Sequence, residues 1–118
     1  MRLSGRLGYG DGFASTVEHV VRLEEAGLDV VWVAEAYGYD AATRLGYLAA
    51  RTRRVELASG IFPIYSRTPA LLAQTVAGLD ELSGGRAILG LCASGPQVIE
   101  GWHGVAYDRP VQRSREVM

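Results

Sequence analysis

The chain of 118 residues contains no lysine, no asparagine and a single cysteine. One cysteine, Cys92, excludes an internal disulfide and any multi-cysteine zinc site, and points to a reducing compartment. The longest unbroken apolar runs, such as Val30–Ala34, are far too short to span a membrane. Met1 to Gly12 places glycines and charges where a secretory signal needs a continuous apolar stretch. These absences predict a cytoplasmic protein with no membrane partner. All basic residues are arginine, and the net charge is -1. So even a balance argues against a nucleic-acid partner, because non-specific affinity for phosphates comes from clustered cations. The two histidines lack H-x-H or H-x-x-x-H spacing, so no metal site is expected.

What is present is apolar: 48% of the residues are hydrophobic. That excludes a disordered tail. A chain of this size buries about two-thirds of its unfolded surface, enough for a core. Its length suits one domain or part of a larger one.

Two patterns alternate along the chain. Leu3–Tyr9 reads as a short, glycine-weakened strand ended by Asp11-Gly12. Helical spacing then runs through Val17, Val20 and Val21 to Leu23, with Ser15 or Thr16 as a possible cap and Gly27 as the C-terminal glycine. Leu28–Ala34 is nearly continuous in hydrophobicity, as in a parallel strand covered on both faces. A second helix, capped by Asp40 or Thr43, carries Leu45, Leu48 and Ala49, and Val55–Ile61 reads as the third strand. Pro69 suits the first turn of a third helix that Ser83-Gly84-Gly85 ends. Arg86–Leu91 reads as a fourth strand, a Gly/Pro-containing loop follows, and Pro110 opens a last helical pattern.

Steps of roughly 30 residues are those of βαβ units, with parallel strands and right-handed crossovers. The fold class is α/β. The rhythm suits either an open doubly wound sheet or a (β/α)8 barrel of about 250 residues. Four strands are too few for both, and the pattern breaks off at Met118. The expectation is one partial barrel domain over residues 1–118, about four parallel strands with intervening helices. The alternative is a complete small α/β domain whose last helix ends at the terminus.

In either architecture ligands bind at the C-terminal ends of the strands. Four loops collect there: Gly8–Gly12, Glu35–Asp40, Phe62–Thr68 and Cys92–Gly104. Glu35 ends an apolar strand, where loss of water raises a carboxyl pKa and suits it to proton handling or a ligand hydrogen bond. The competing reading pairs it with an arginine at the rim. Gly60 inside a strand signals a bulge or a close backbone approach. Arg67, just before a helix, either binds an anion or bridges loops. The small residues after the fourth strand, Ala93-Ser94-Gly95, let a ligand approach backbone N–H groups. They form neither G-x-G-x-x-G nor a P-loop. His103 beside Trp102 is either structural or a proton-transfer candidate. Cys92 has no neighbour that would activate it, so packing is its expected role.

Several blocks together resemble the luciferase-like oxidoreductases, more closely the branch using the deazaflavin coenzyme F420. They are residues 24–37 (Glu-Glu-Ala-Gly-Leu-Asp-Val-Val-Trp-Val-Ala-Glu-Ala-Tyr), Ala-Ser-Gly-Ile (58–61), Ser-Arg-Thr-Pro-Ala-Leu-Leu-Ala-Gln-Thr (66–75), Leu-Asp-Glu-Leu-Ser-Gly-Gly-Arg (79–86) and Gly-Pro-Gln-Val-Ile-Glu-Gly-Trp-His-Gly-Val (95–105). The resemblance implies a (β/α)8 barrel, usually dimeric, with the coenzyme at the strand C-termini. It implies a bulge with a non-prolyl cis peptide within Ser59-Gly60-Ile61. It places Glu35, Ser59, Gly60, Ile61, Ala93, Ser94 and Gly95 at the cofactor, and Glu35 and His103 as the candidate catalytic pair. Two departures stand out. Relatives carry Leu-Gly-x-Gly where this chain has Leu89-Gly90-Leu91-Cys92, so a side chain crowds that position. The histidine base of the sugar-phosphate-oxidising members falls at Ala36, which disfavours that substrate.

The implied function is hydride transfer between F420 and a small organic substrate, as part of a homo-oligomer. The alternatives are an FMN-dependent monooxygenase of the same family, and a half-barrel that self-associates without activity.

Overall fold

The computed structural model describes residues 1–7 and 12–118. The end of the expected first strand and most of the first loop fall outside these residues. The elements run β1 (Ser4–Leu7), α1 (Phe13–Glu25), β2 (Val30–Val33), α2 (Ala41–Arg51), β3 (Glu56–Ser59), β4 (Phe62–Pro63), α3 (Pro69–Ser83), β5 (Ala87–Ile88), β6 (Leu91–Cys92), α4 (Pro96–Ile99) and α5 (Pro110–Val117). Strands β1, β2, β3 and β5 form one parallel sheet in that order, and β4 pairs with β6 in a second, also parallel.

The register explains the layers. Leu7, Val33 and Ser59 lie side by side, as do Val31, Leu57 and Ala87. Leu7, Val31, Val33 and Leu57 join the main core with Val17 and Val20 of α1, Leu45 and Leu48 of α2, and Leu72 and Leu79 of α3. Each such Val or Leu, fully buried, contributes about 2 kcal/mol. Because strand side chains alternate, Arg6, Trp32, Ala58 and Ile88 share the opposite face. There Trp32 and Ile88 are half-buried and Arg6 is exposed.

The helix ends show which local signals govern. α1 begins at Phe13 behind Gly12, whose φ is 79°. Ser15 and Thr16 are not its cap. Both lie inside the first turn, and their hydroxyls donate to the Gly12 carbonyl. At the other end Gly27 (φ 104°) donates to Glu24 and Leu28 donates to Leu23, the paired bonds of a Schellman turn. Asp40 caps α2 by accepting from the Thr43 N–H at 2.7 Å, and Thr68 caps α3 by accepting from Leu71.

The third and fourth strands are each broken in two, the third at the expected bulge and the fourth against the expectation of one continuous strand. The break has one cause. The Ser59 hydroxyl accepts from the Gly90 N–H (2.9 Å) and donates to the Gly90 carbonyl (3.0 Å). A side chain thus replaces one rung of the ladder. Pairing then resumes one step out of line, with Phe62 N–H on the Gly90 carbonyl and Ile64 N–H on Cys92. The Gly60–Ile61 peptide within this bend is cis. The loop after the fourth strand also contains a helical turn, α4, whose four residues are too few to show a period.

Candidate functional site at the strand C-termini

Glu35 follows β2 and has a side chain only 8% exposed. Its two oxygens accept from Arg67 Nη1 (2.5 Å) and Nη2 (2.9 Å), and Oε2 also accepts the Ala41 N–H at 2.8 Å. Arg67, after β4, donates further to Asp40 (2.5 Å) and to the Ser66 hydroxyl (3.2 Å). Its guanidinium lies 4.5 Å from the centroid of the buried Phe62 ring. Burial works against charge on Arg67, but Glu35 and Asp40 outweigh it and hold its pKa above the ordinary arginine value. For Asp40 burial pushes up, but the Thr43 hydroxyl, the Thr43 N–H and Arg67 prevail and hold its carboxyl below the usual range. Of the two readings of Glu35, the geometry therefore favours the ion pair over a free proton-handling carboxyl. Of the two for Arg67, it favours the loop bridge over the anion site.

This triad forms the wall of an open cleft of about 290 Å³, which Ala36, Tyr39, Leu71, Trp102 and His103 also line. His103 and Glu35 thus share one cleft. Trp102 is 57% exposed and meets the Tyr37 ring edge-on, with centroids 6.0 Å apart. The segment carrying it is held by N–H bonds from Trp102 and His103 to the Val98 carbonyl.

The other expected site residues lie elsewhere. Ala93 and Ser94 line a separate cleft of about 470 Å³ with Ile64, Leu91, Cys92 and Tyr107. Ser94 has φ 60°, and its carbonyl accepts the Tyr107 hydroxyl at 3.0 Å. Gly95 precedes α4. Ser59 is fully buried, and its hydroxyl is committed to Gly90, so what it does here is join two strands. Gly60 and Ile61 are half-buried beside it, with the Gly60 N–H on the Val33 carbonyl. Cys92 is exposed in the second cleft, away from Glu35. Sequence reasoning missed Asp40 as more than a cap, and it missed the Tyr37–Trp102 contact. The acid–arginine–acid triad joins residues about 30 positions apart, and no local pattern marks it.

A parallel α/β sheet with its polar cleft at the strand C-termini defines a parallel α/β protein of the kind that carries its site at that end. The chain belongs to the luciferase-like monooxygenase family, whose model matches residues 1–118. It is 44% identical over 118 residues to a Mycobacterium tuberculosis protein provisionally named a coenzyme F420-dependent oxidoreductase, covering 98% of this chain and 34% of that one. It is 35% identical over 104 residues to a 5,10-methylenetetrahydromethanopterin reductase of Archaeoglobus fulgidus, covering 86% of this chain and 31% of that protein. Among solved structures, the coenzyme F420-dependent tetrahydromethanopterin reductase of Methanopyrus kandleri superposes with a TM-score of 0.85 at 26% identity, over 98% of this chain and 38% of that one. The oxygenating constituent of 3,6-diketocamphane monooxygenase from Pseudomonas putida, in complex with FMN, shares the fold: its TM-score is 0.84 at 18% identity, over 99% of this chain and 37% of that one. The chain spans about a third of the length of its curated relatives.

Proposed function

We propose that this chain forms part of an oxidoreductase that transfers a hydride between coenzyme F420 and a small organic substrate. The observation that carries the reading is the 44% identity, over nearly the whole chain, to a relative named for that coenzyme. The residues fit one side of a planar ring. Gly60, Ala93 and Gly95 are small and lie beyond the strand ends, so no large side chain of theirs obstructs a flat ligand. The backbone of Gly60, Ile61, Ala93, Ser94 and Gly95 would border the deazaflavin, which when bound supplies the hydride at its carbon-5. Ser59 acts there indirectly, by holding the bend that presents Gly60 and Ile61. Glu35 acts through Arg67, and His103 is the cleft's candidate for moving a proton. Assembly as a homo-oligomer in the cytoplasm belongs to the same reading. Among the described residues no helix is long and apolar enough to cross a membrane.

The second reading is an FMN-dependent monooxygenase, favoured by the close superposition on an FMN complex. Titrating each coenzyme into a polypeptide carrying a complete barrel around this segment separates the two. Quenching of deazaflavin fluorescence with no FMN binding is the expected result. FMN binding alone would transfer the assignment to the second reading, and binding of neither would end both.

A further inference from the structure

We propose that Arg67 is a positioning residue for the cleft. By holding Glu35 and Asp40 on one guanidinium it closes the loop of residues 36–39, and through the Tyr37–Trp102 contact it sets the place of Trp102 and His103. Glu35 and Asp40 bracket that loop, and both bind Arg67. Each carboxylate also accepts a backbone N–H from the first turn of α2, Glu35 from Ala41 and Asp40 from Thr43. The loop is therefore tied at both ends to α2 and to the residue before Thr68, the cap of α3. Arg67 itself has little freedom, being stacked on Phe62, bonded to Ser66 and only 11% exposed in its side chain.

From this fixed loop Tyr37 projects to the edge-on contact with Trp102, whose segment carries His103 into the same cleft. Aromatic pairs of this geometry are net attractive. The geometry of arginine matters as much as its charge. A planar fork engages one carboxylate at two points and a second from its remaining N–H, which a lysine ammonium does not reproduce. Without the guanidinium, two carboxylates face each other at the rim, one of them nearly buried. Removing one partner of such a pair leaves uncompensated charge, and here the loop keeps only the bonds of its two carboxylates to α2.

The test reads the two indole N–H signals of the protein, Trp32 and Trp102, by nitrogen-15 correlation NMR, in whichever assembly state the protein purifies. Trp32 lies on the sheet face and serves as the control for an intact fold. In Arg67→Met the Trp102 signal is expected to shift to the position it takes in Tyr37→Leu, with the Trp32 signal unmoved. The double variant is expected to match either single one, because both changes break the same relay. Arg67→Lys is expected to shift it part of the way. A Trp102 signal unmoved in Arg67→Met, or unmoved in Tyr37→Leu, or effects that add in the double variant, would each overturn the proposal. Should Arg67→Met lose its amide dispersion, Arg67→Lys and Asp40→Asn replace it, and an unmoved Trp102 signal in both is equally fatal. No coenzyme enters the measurement, so its outcome is independent of the hydride-transfer reading.

Discussion

Two residues show how much a single side chain sets here. Gly90 sits against Ser59 so closely that a Cβ would fall inside the Ser59 carbonyl oxygen. The obstacle is backbone, which cannot swing away, and the same two residues exchange the bonds that break the strands. Gly90→Ala is expected to cost about 3 kcal/mol through overpacking, read as a lower denaturant midpoint at unchanged slope. Glu24 does a comparable task at the opposite end of the sheet. Its carboxylate accepts the N–H groups of Arg53, Arg54 and Val55, which lead into β3, and Arg54 returns a bond to the Glu24 carbonyl. Burial pushes the Glu24 pKa up, but the Val55, Arg54 and Arg53 bonds and the charge of Arg86 prevail and hold it below the ordinary value. The unfolded chain therefore takes up the proton first. The stabilisation is complete above the ordinary glutamate pKa of about 4.3 and is lost as the pH falls toward and through the folded value. Glu24→Gln is expected to be less stable at pH 7 by about 1–3 kcal/mol, because buried donors lose acceptors. It should also lose less on acidification than the unsubstituted protein. Denaturation curves at pH 7 and at a pH below the ordinary glutamate pKa check this, and parallel losses would exclude the carboxylate as the titrating group.

Elements are held by bonds of longer range. Arg86 follows α3, yet its guanidinium donates to the carbonyls of Ser83, Ala49, Thr52 and Val55 and to the Thr52 hydroxyl. It satisfies carbonyls that the end of α2 leaves without intrahelical partners and ties them to the turn before β5. Arg86→Ala is expected to cost about 3 kcal/mol, with the first loss of hydrogen-exchange protection at the α2–β3 junction. Uniform loss across the sheet would contradict that role. The Leu-Ser-Gly-Gly-Arg block thus has a physical meaning beyond resemblance: its glycines turn the chain and its arginine closes the floor. This also marks what was legible. The spacing of Leu45 and Leu48, or of Leu72 and Leu79, displays a helical face within a few residues. Asp40, Thr68, Pro69 and Gly27 signal ends locally, so the long helices and their alternation with parallel strands could be read from the chain. Gly60 signals the break in the third strand, but the break in the fourth could not be read, because Arg86–Leu91 looks continuous until Ser59 is seen facing Gly90. Nor could the separation of Glu35 and His103 from Ala93 and Ser94, which line different clefts. Glu35 had two readings in the sequence, and only the placement of Arg67 beside it separated them.

At the scale of the molecule, the sheet raises a question that neither residues nor elements answer. Helices α1, α2 and α3 supply the core on one face, while the face bearing Trp32 and Ile88 is only half-buried. Among the described residues β1 pairs only with β2, and β5 only with β3, so both outer edges of the four-stranded sheet are open. Open edges offer rows of unpaired N–H and C=O groups, ready templates for another strand. The geometry also says what kind of strand fits. All four strands are parallel, so β1 of one copy can continue the order after β5 of another, and two copies joined at both edges give eight parallel strands. Eight is the number at which a parallel sheet closes with a packed interior. We expect the 118-residue polypeptide alone to self-associate, with two copies as the smallest assembly that leaves no edge. Charge does not oppose this, since the net value is only -1. Sedimentation equilibrium is the direct measurement, and the stability of the assembly should rise with protein concentration. A lysine placed on an edge at an exposed position off the core face, Ser4→Lys in β1, should weaken association, whereas an exposed change on α1 such as Glu18→Gln should not. A monomer that melts cooperatively at a concentration-independent midpoint would show that the half-covered sheet is stable alone, and would remove the reason to expect a second copy.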